Sequence, residues 1–308
     1  MSTTLQSPVP PAPEPAKSDA GALAEPTATG WKLTLKEFTS NKLAMAGIGI
    51  LVFFVLFCFL GPMFYHSQQT ITNLDNTDMG PQAGNPLGTD DNGFDVLGRI
   101  MLGGQTSLEI GFLAAFIASV IGTLWGAVAG LVGGIVDAVM MRIVDILLSV
   151  PFLLIVLIVA HQYGSNLWNL SLILGIFSWL VPARLVRGEV LTLRVRDFVS
   201  AAKVMGAGNQ RLIYRHLLPN SMGTVIVNIT FQIADAILAL STLGFLGFGI
   251  KYPGTDWGSQ LGNAEDSLTS GYWWLVLPVG LCLVLVVMAF NLIGDGLRDA
   301  VDVRLRKR

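Results

Sequence analysis

Charge is scarce in this chain. Only 13% of its 308 residues are Asp, Glu, Lys or Arg, against about 25% in an average soluble domain, which argues against an ordinary water-soluble fold. Cysteine is nearly absent. Cys58 and Cys282 are the only two, and both lie inside apolar runs, so neither a disulfide framework nor a Cys-based metal site is expected. The three histidines, His66, His161 and His216, fall on different predicted segments, which removes the clustered ligands of a metal centre. No Lys follows a Gly anywhere, so the phosphate-cradling GxxxxGK(S/T) loop is missing, as are GxSxG and HExxH. No catalytic residue, bound cofactor, metal or nucleic-acid partner is expected for this chain.

What it has instead is apolar sequence in long runs. Six can be counted, at about Leu43 to Tyr65, Leu108 to Val132, Val139 to Ala160, Leu170 to Val186, Thr224 to Phe248 and Trp273 to Ile293. Each is close to the ~20 residues that cross a ~30 Å hydrocarbon core as a helix. The fourth is the shortest and suits a tilted or partly re-entrant segment. Residues 1–30, with "PVPPAPEPA" near the front, have no apolar periodicity and are read as a disordered tail. They offer no basic region followed by an apolar one ahead of Leu43, so the first run is expected to be retained.

The basic residues test this organisation independently. With the N-terminus inside, 17 of the 19 Lys and Arg fall on inside segments, and only Arg99 and Lys251 lie outside. That is the asymmetry of the positive-inside rule. The expectation is an all-α polytopic membrane protein with six transmembrane helices and both termini cytoplasmic. Its parts are the tail 1–30, an N-terminal segment and first span at 31–65, an external segment at 66–107, a core domain at 108–293 and a basic cytoplasmic tail at 294–308. The core domain contains a cytoplasmic loop at 188–221 and an external loop at 249–272. Four acids, Asp90, Asp91, Asp95 and Glu109, lie among apolar residues around the end of the external segment. They fit either an amphipathic surface element or a solvated loop, and lack calcium-loop spacing.

Within the spans, Gly122, Gly126, Gly130 and Gly134 recur every four residues and predict one face on which another helix packs closely. Arg142 and Asp145 are three apart and can pair, and Pro151 predicts a kink. In the fifth run Asn228, Gln232, Asp235 and Thr242 form one polar stripe. An ionisable residue near mid-span costs on the order of 2.5–3.5 kcal/mol in lipid, so the stripe either lines a translocation path or joins helices by hydrogen bonds.

The cytoplasmic stretch "AAKVMGAGNQRLIYRHLLPN" (201–220) is different in kind. Phe198, Ala201, Ala202 and Met205 mark the apolar face of a short helix. Gly206 and Gly208 interrupt it, and Ile213, His216 and Leu217 share one side of a second helix that Pro219 is expected to stop. Arg211 and Arg215 repel at i, i+4, which implies an anionic neighbour, either lipid headgroups or an acidic groove on a cytoplasmic protein.

These residues resemble the EAA loop of the integral membrane permeases of ABC importers, specifically the second permease of the dipeptide/oligopeptide type. Ala201, Ala202, Gly206 and Pro219 hold the expected places, with Ser200 where the usual Glu would stand. The likeness extends to "PLGTDDNGFDVLGRIMLGGQTSLEIG", to "MRIVDILLSVPFLL" and to the closing "WWLVLPVGLCLVLVVMAFNLIGDGLRDAVDVRLR". One departure is Leu240, where such permeases often carry Glu. The resemblance implies a five-helix permease core plus an N-terminal helix in a bacterial plasma membrane. It implies four kinds of partner: a homologous second permease, one or two cytoplasmic ATPases that hold ATP and Mg, an external substrate-binding protein, and lipid. It makes Ser200, Ala201, Ala202, Lys203, Met205, Gly206, Ala207, Arg211, Arg215, His216 and Pro219 the coupling surface for an ATPase. Rivals are the same importer class carrying nickel, glutathione, haem or another small solute, and, from a different class, an ion-driven secondary transporter.

Overall fold

A computed structural model describes residues 31–306, and the expectation for residues 1–30 lies outside them. The described residues are helical, with no strand among them beyond two isolated bridges. Amphipathic α1 (Trp31–Ser40) leads to α2 (Lys42–Phe64), which Asn41 caps by accepting from the backbone N–H groups of Leu43 and Ala44. After an irregular segment, α3 (Val96–Val132) runs for 37 residues. It starts at Val96, ahead of the apolar run, because Asp95 caps it through the Gly98 N–H at 2.7 Å. The stretch 66–107, expected to be one external segment, therefore includes the first turns of a long helix.

The third apolar run is two helices, α4 (Gly134–Leu148) and α5 (Phe152–Tyr163), bent by 78°. Pro151 does more than kink: it lacks an N–H and disfavours a helical residue before it, so α4 ends and α5 begins anew. The fourth run is likewise α6 (Leu167–Ser178) and α7 (Leu180–Leu193), bent by 43° at Trp179. Four helices are thus long and apolar enough to cross a membrane unbroken, and six spans result if each bent pair counts as one. The molecule is a multi-pass membrane protein.

Beyond α7, α8 (Asp197–Val204) is followed by α9 (Asn209–Leu212), a π-helical turn (Ile213–Leu217) and α10 (Leu218–Phe245). Pro219 does not stop the second helix as expected. Helix runs on from Asn209 to Phe245, because the wider π turn lets the Leu218 N–H reach Ile213 O and takes up the register change that proline forces. Short α11 (Trp257–Asn263) then packs against α10, α3 and α12, and α12 (Trp273–Arg306) is the last described helix. Residues 294–306, read as a tail, continue that last helix.

The core lies where α10 crosses α3 and α12. Ile233, Ile237, Leu108, Ala115, Val286 and Phe290 are buried there around Trp257. Trp257 is fully buried, and its indole N–H donates to Ile100 O at 3.0 Å, meeting the need of a buried polar atom for a partner. Outward faces of α2 and α12 leave Phe53, Leu56, Leu277 and Leu281 exposed, as lipid contact requires.

Candidate functional site

Residues 197–217 form a helical hairpin turned by one glycine. Gly206 has φ +81°, its N–H donates to Lys203 O at 2.9 Å, and the Ala207 N–H donates to Ala202 O at 3.0 Å. This pair of bonds is a Schellman motif, which needs a left-handed residue that L side chains resist. Space does not dictate the glycine, since nothing lies within 4 Å of where its Cβ would be. The conformation does.

One side of the hairpin is anchored. Val199, Ala202, Leu212, Ile213 and Leu217 are buried against Ala127 and Leu131 of α3 and against Val186 and Val190 of α7. The opposite side is bare. Val204 is 89% and Met205 81% exposed, beside exposed Ser200, Ala201, Lys203, Arg211 and Arg215. Of the apolar face expected on the first helix, Phe198, Ala201 and Met205 point outward and Ala202 inward. His216 is half-buried, its ring 6.5 Å from that of Phe198. The hairpin thus presents an apolar tip with a basic rim.

The seam beneath it is made by the glycines. A Cβ on Gly122 would lie 2.7 Å from Trp179 O, on Gly126 2.8 Å from Arg187 N, and on Gly130 2.9 Å from Val190 Cγ1. Backbones of α3 and α7 therefore touch along three turns. Gly134 is not part of this seam: Gly133 ends α3 at φ +70°, and Gly134 stands in open space on the next helix. Asp145 pairs with Arg184 of α7 and not with neighbouring Arg142, while Arg187 binds Asp137 through two bonds of 2.6 Å. Two arginines of α7 thus hold α4, and Arg194 adds a bond to Gly130 O at 3.0 Å. A planar guanidinium suits such forked contacts.

At the Gly122 end of the seam, away from the hairpin, the two helix breaks meet α10 around a cavity of about 560 Å³. Ser149, Pro151, Phe152, Ser178, Trp179, Gln232 and Asp235 are on its wall. Pro182 cannot donate to Ser178 O four residues back, and the Gln232 side-chain N–H reaches that carbonyl at 3.4 Å. Asp235 is exposed and makes no hydrogen bond or ion pair among the described residues. The polar stripe therefore divides: Gln232 and Asp235 face the cavity, whereas Asn228 is half-buried and Thr242 donates to Leu238 O at 2.9 Å. Neither of the last two is on the cavity wall.

Residues 122–307 match the family described as binding-protein-dependent transport system inner membrane component. The chain belongs to that family. Residues 29–81 further match the N-terminal TM domain of oligopeptide transport permease C. The chain is 38% identical over 297 residues to the oligopeptide transport system permease protein OppC of Bacillus subtilis, covering 96% of this chain and 97% of that one. It is 40% identical over 278 residues to OppC of Escherichia coli, covering 90% and 92%. To the dipeptide transport system permease protein DppC of Alkalihalophilus pseudofirmus it is 37% identical over 276 residues, covering 90% of each.

At the C-terminal end of α10 the turn into α11 is held by a residue that sequence reasoning passed over. Asp256 is fully buried and accepts from the Ile250 N–H at 2.8 Å, the Ser259 N–H at 3.0 Å and the Ser259 hydroxyl at 2.6 Å. Burial raises its pKa, and these hydrogen bonds oppose the rise. Gly244 and Gly249 leave room for it. The available signal was the glycines of "STLGFLGFG", which suit either a flexible or a closely packed helix end, and no spacing rule links them to an acid beyond the turn. Leu240 is fully buried between α10 and the α5–α6 pair, so the place where related permeases often carry Glu is core here. Among the described residues no group of three His, Cys, Asp or Glu could hold a metal.

Proposed function

We propose that this chain is one of two homologous permease subunits of an ATP-driven importer of di- or oligopeptides in a bacterial plasma membrane. In this reading it spans the membrane six times with both termini in the cytoplasm. Its partners are a second permease, one or two ATPase subunits that carry ATP and Mg, and an external substrate-binding protein. The transport systems named for its relatives support the peptide substrate, and the 17 to 2 division of basic residues supports the topology.

The observation that carries the coupling role is the hairpin at Gly206, anchored on the α3–α7 seam by one face and bare on the other. The bare face, from Ser200 to Ala207 with Arg211 and Arg215, docks into an ATPase cleft of acidic character. Nucleotide-driven closure of the ATPase pair then moves the hairpin, and the hairpin moves the seam to which it is packed. Energetically, ATP binding favours one arrangement of the motor, and the docked face passes that preference to the spans.

The test is reconstitution of all subunits in proteoliposomes with a tripeptide as substrate. Uptake should require ATP and should be lost in Gly206→Glu while the chain still inserts and pairs with the second permease. Uptake by this chain alone, driven by an ion gradient, would refute the reading, and undiminished transport by Gly206→Glu would refute the docked hairpin.

A further inference from the structure

Non-helical backbone at membrane depth is tolerated only where it is buried in protein or lines a wet cavity. Here two helices break beside one cavity, at Ser149–Pro151 and at Trp179. Broken helices around a mid-membrane cavity are a recurrent way of building a solute site. The cavity volume, about 560 Å³, lies in the range of small-molecule sites, and its wall is mainly apolar.

Two polar side chains project onto this wall from α10, and they differ in what they have left to offer. Gln232 is buried and uses its N–H on Ser178 O. Asp235 is exposed to the cavity, is the one charged side chain on its wall, and has no partner among the described residues. A carboxylate without a cation near mid-span is costly, so the position favours a solute that brings the cation. Apolar walls with one convergent charge orient a ligand by that charge.

We infer that Asp235 is a specificity-determining contact inside the permease, accepting hydrogen bonds from an ammonium group of the passing peptide, either its free α-amino group or a lysine side chain. This rests on the peptide-importer reading given above. The apolar wall formed by Phe152, Ile155 and Trp179 takes whatever side chain is adjacent, so the contact selects for charge and not for sequence.

The complete importer in proteoliposomes tests this with three peptides: Ala-Ala-Ala, its N-acetylated form, and an N-acetylated tripeptide containing one lysine. Uptake of each is measured for wild type, Asp235→Asn and Asp235→Glu with the same binding protein, whose own preferences cancel when variants are compared. A charge-assisted hydrogen bond of ordinary strength corresponds to about a tenfold preference. Asp235→Asn should therefore shrink the preference for an ammonium-bearing peptide over the blocked one by about tenfold, and Asp235→Glu should restore most of it. If the change is confined to the Ala-Ala-Ala arm the α-amino group is the ligand, and if to the lysine arm the side chain is. A preference ratio does not depend on how much complex assembles, so a weakly assembling variant still reports. Wild-type uptake with the ratio unchanged in Asp235→Asn overturns this inference alone. Failure of the wild type to take up any peptide overturns the importer reading and this inference together.

Discussion

Asp256 shows how a single residue holds the turn between α10 and α11. Asp256→Ala would leave the Ile250 and Ser259 donors unpaired in a dry site, at about 1–3 kcal/mol for each group. Its pH behaviour follows from burial. The folded-state pKa is raised above the ordinary 3.8, so between those two values the folded protein holds more protons than the unfolded one. Stability of the outer cap then falls as pH rises through that window and grows on acidification. Asp90 and Asp95 of the same cap are shifted in the same direction, by burial first. Hydrogen exchange at the Ile250 and Ser259 amides should report less opening as pH is lowered from about 7 towards about 4, with a shallower dependence in Asp256→Asn. An unchanged dependence in that variant would assign the effect to the other two acids.

Residue-level legibility was uneven for a physical reason. Ala202, Gly206 and Asp235 were visible because each breaks a local pattern: small residues on a helix face, a glycine between helices, an acid in an apolar run. The Arg184–Asp145 and Arg187–Asp137 pairs were not, since their partners are 39 and 50 residues apart and only the fold brings α7 beside α4. Spacing within one helix suggested Arg142 for Asp145, and a neighbour from another helix took its place.

At the scale of elements, the α3–α7 seam is the part most sensitive to volume. Gly126→Leu places a branched side chain against the Ala183 and Arg187 backbone, and overpacking of this kind costs about 1–3 kcal/mol. The seam should open, lowering the melting temperature in detergent and weakening uptake. Gly188→Ala is the control, because that glycine is exposed on α7 with nothing within 4 Å of its Cβ position. There the lower entropy of alanine should be neutral or stabilising by up to about 1 kcal/mol. Equal effects of the two substitutions would show that helix propensity, and not backbone contact, governs the site. Four of the helices were legible as apolar runs, but their ends were not. The first turns of α3 and the turns that lead into α10 are too polar for hydropathy to find, and are fixed by the Asp95 cap and by the π turn.

For the whole molecule, hydropathy gave the number of apolar runs and charge gave an orientation, while the bends showed only as the proline of the third run and the shortness of the fourth. A run of apolar residues looks the same whether straight or broken, and only Pro151 hinted at the first bend. Topology can be read directly by labelling. In a background lacking Cys58 and Cys282, a cysteine introduced as Lys251→Cys should react with a membrane-impermeant maleimide added outside. One introduced as Lys203→Cys should react only after the membrane is opened. Reaction of the second from outside would invert the orientation argued from the basic residues.

The continuous helix from Asn209 to Phe245 joins the hairpin to the cavity. Its 37 residues make a rod of about 55 Å at ~1.5 Å per residue, with Arg211 near one tip and Asp235 two-thirds of the way along. A rod of that length is a lever arm. Rotating it by about 10° about its midpoint carries each tip roughly 5 Å sideways, close to the rise of one helical turn. In the coupling proposed above, force applied at the hairpin would reach the cavity along this one element, and the π turn at Ile213–Leu217 beside Pro219 is the place where bending would absorb the stroke.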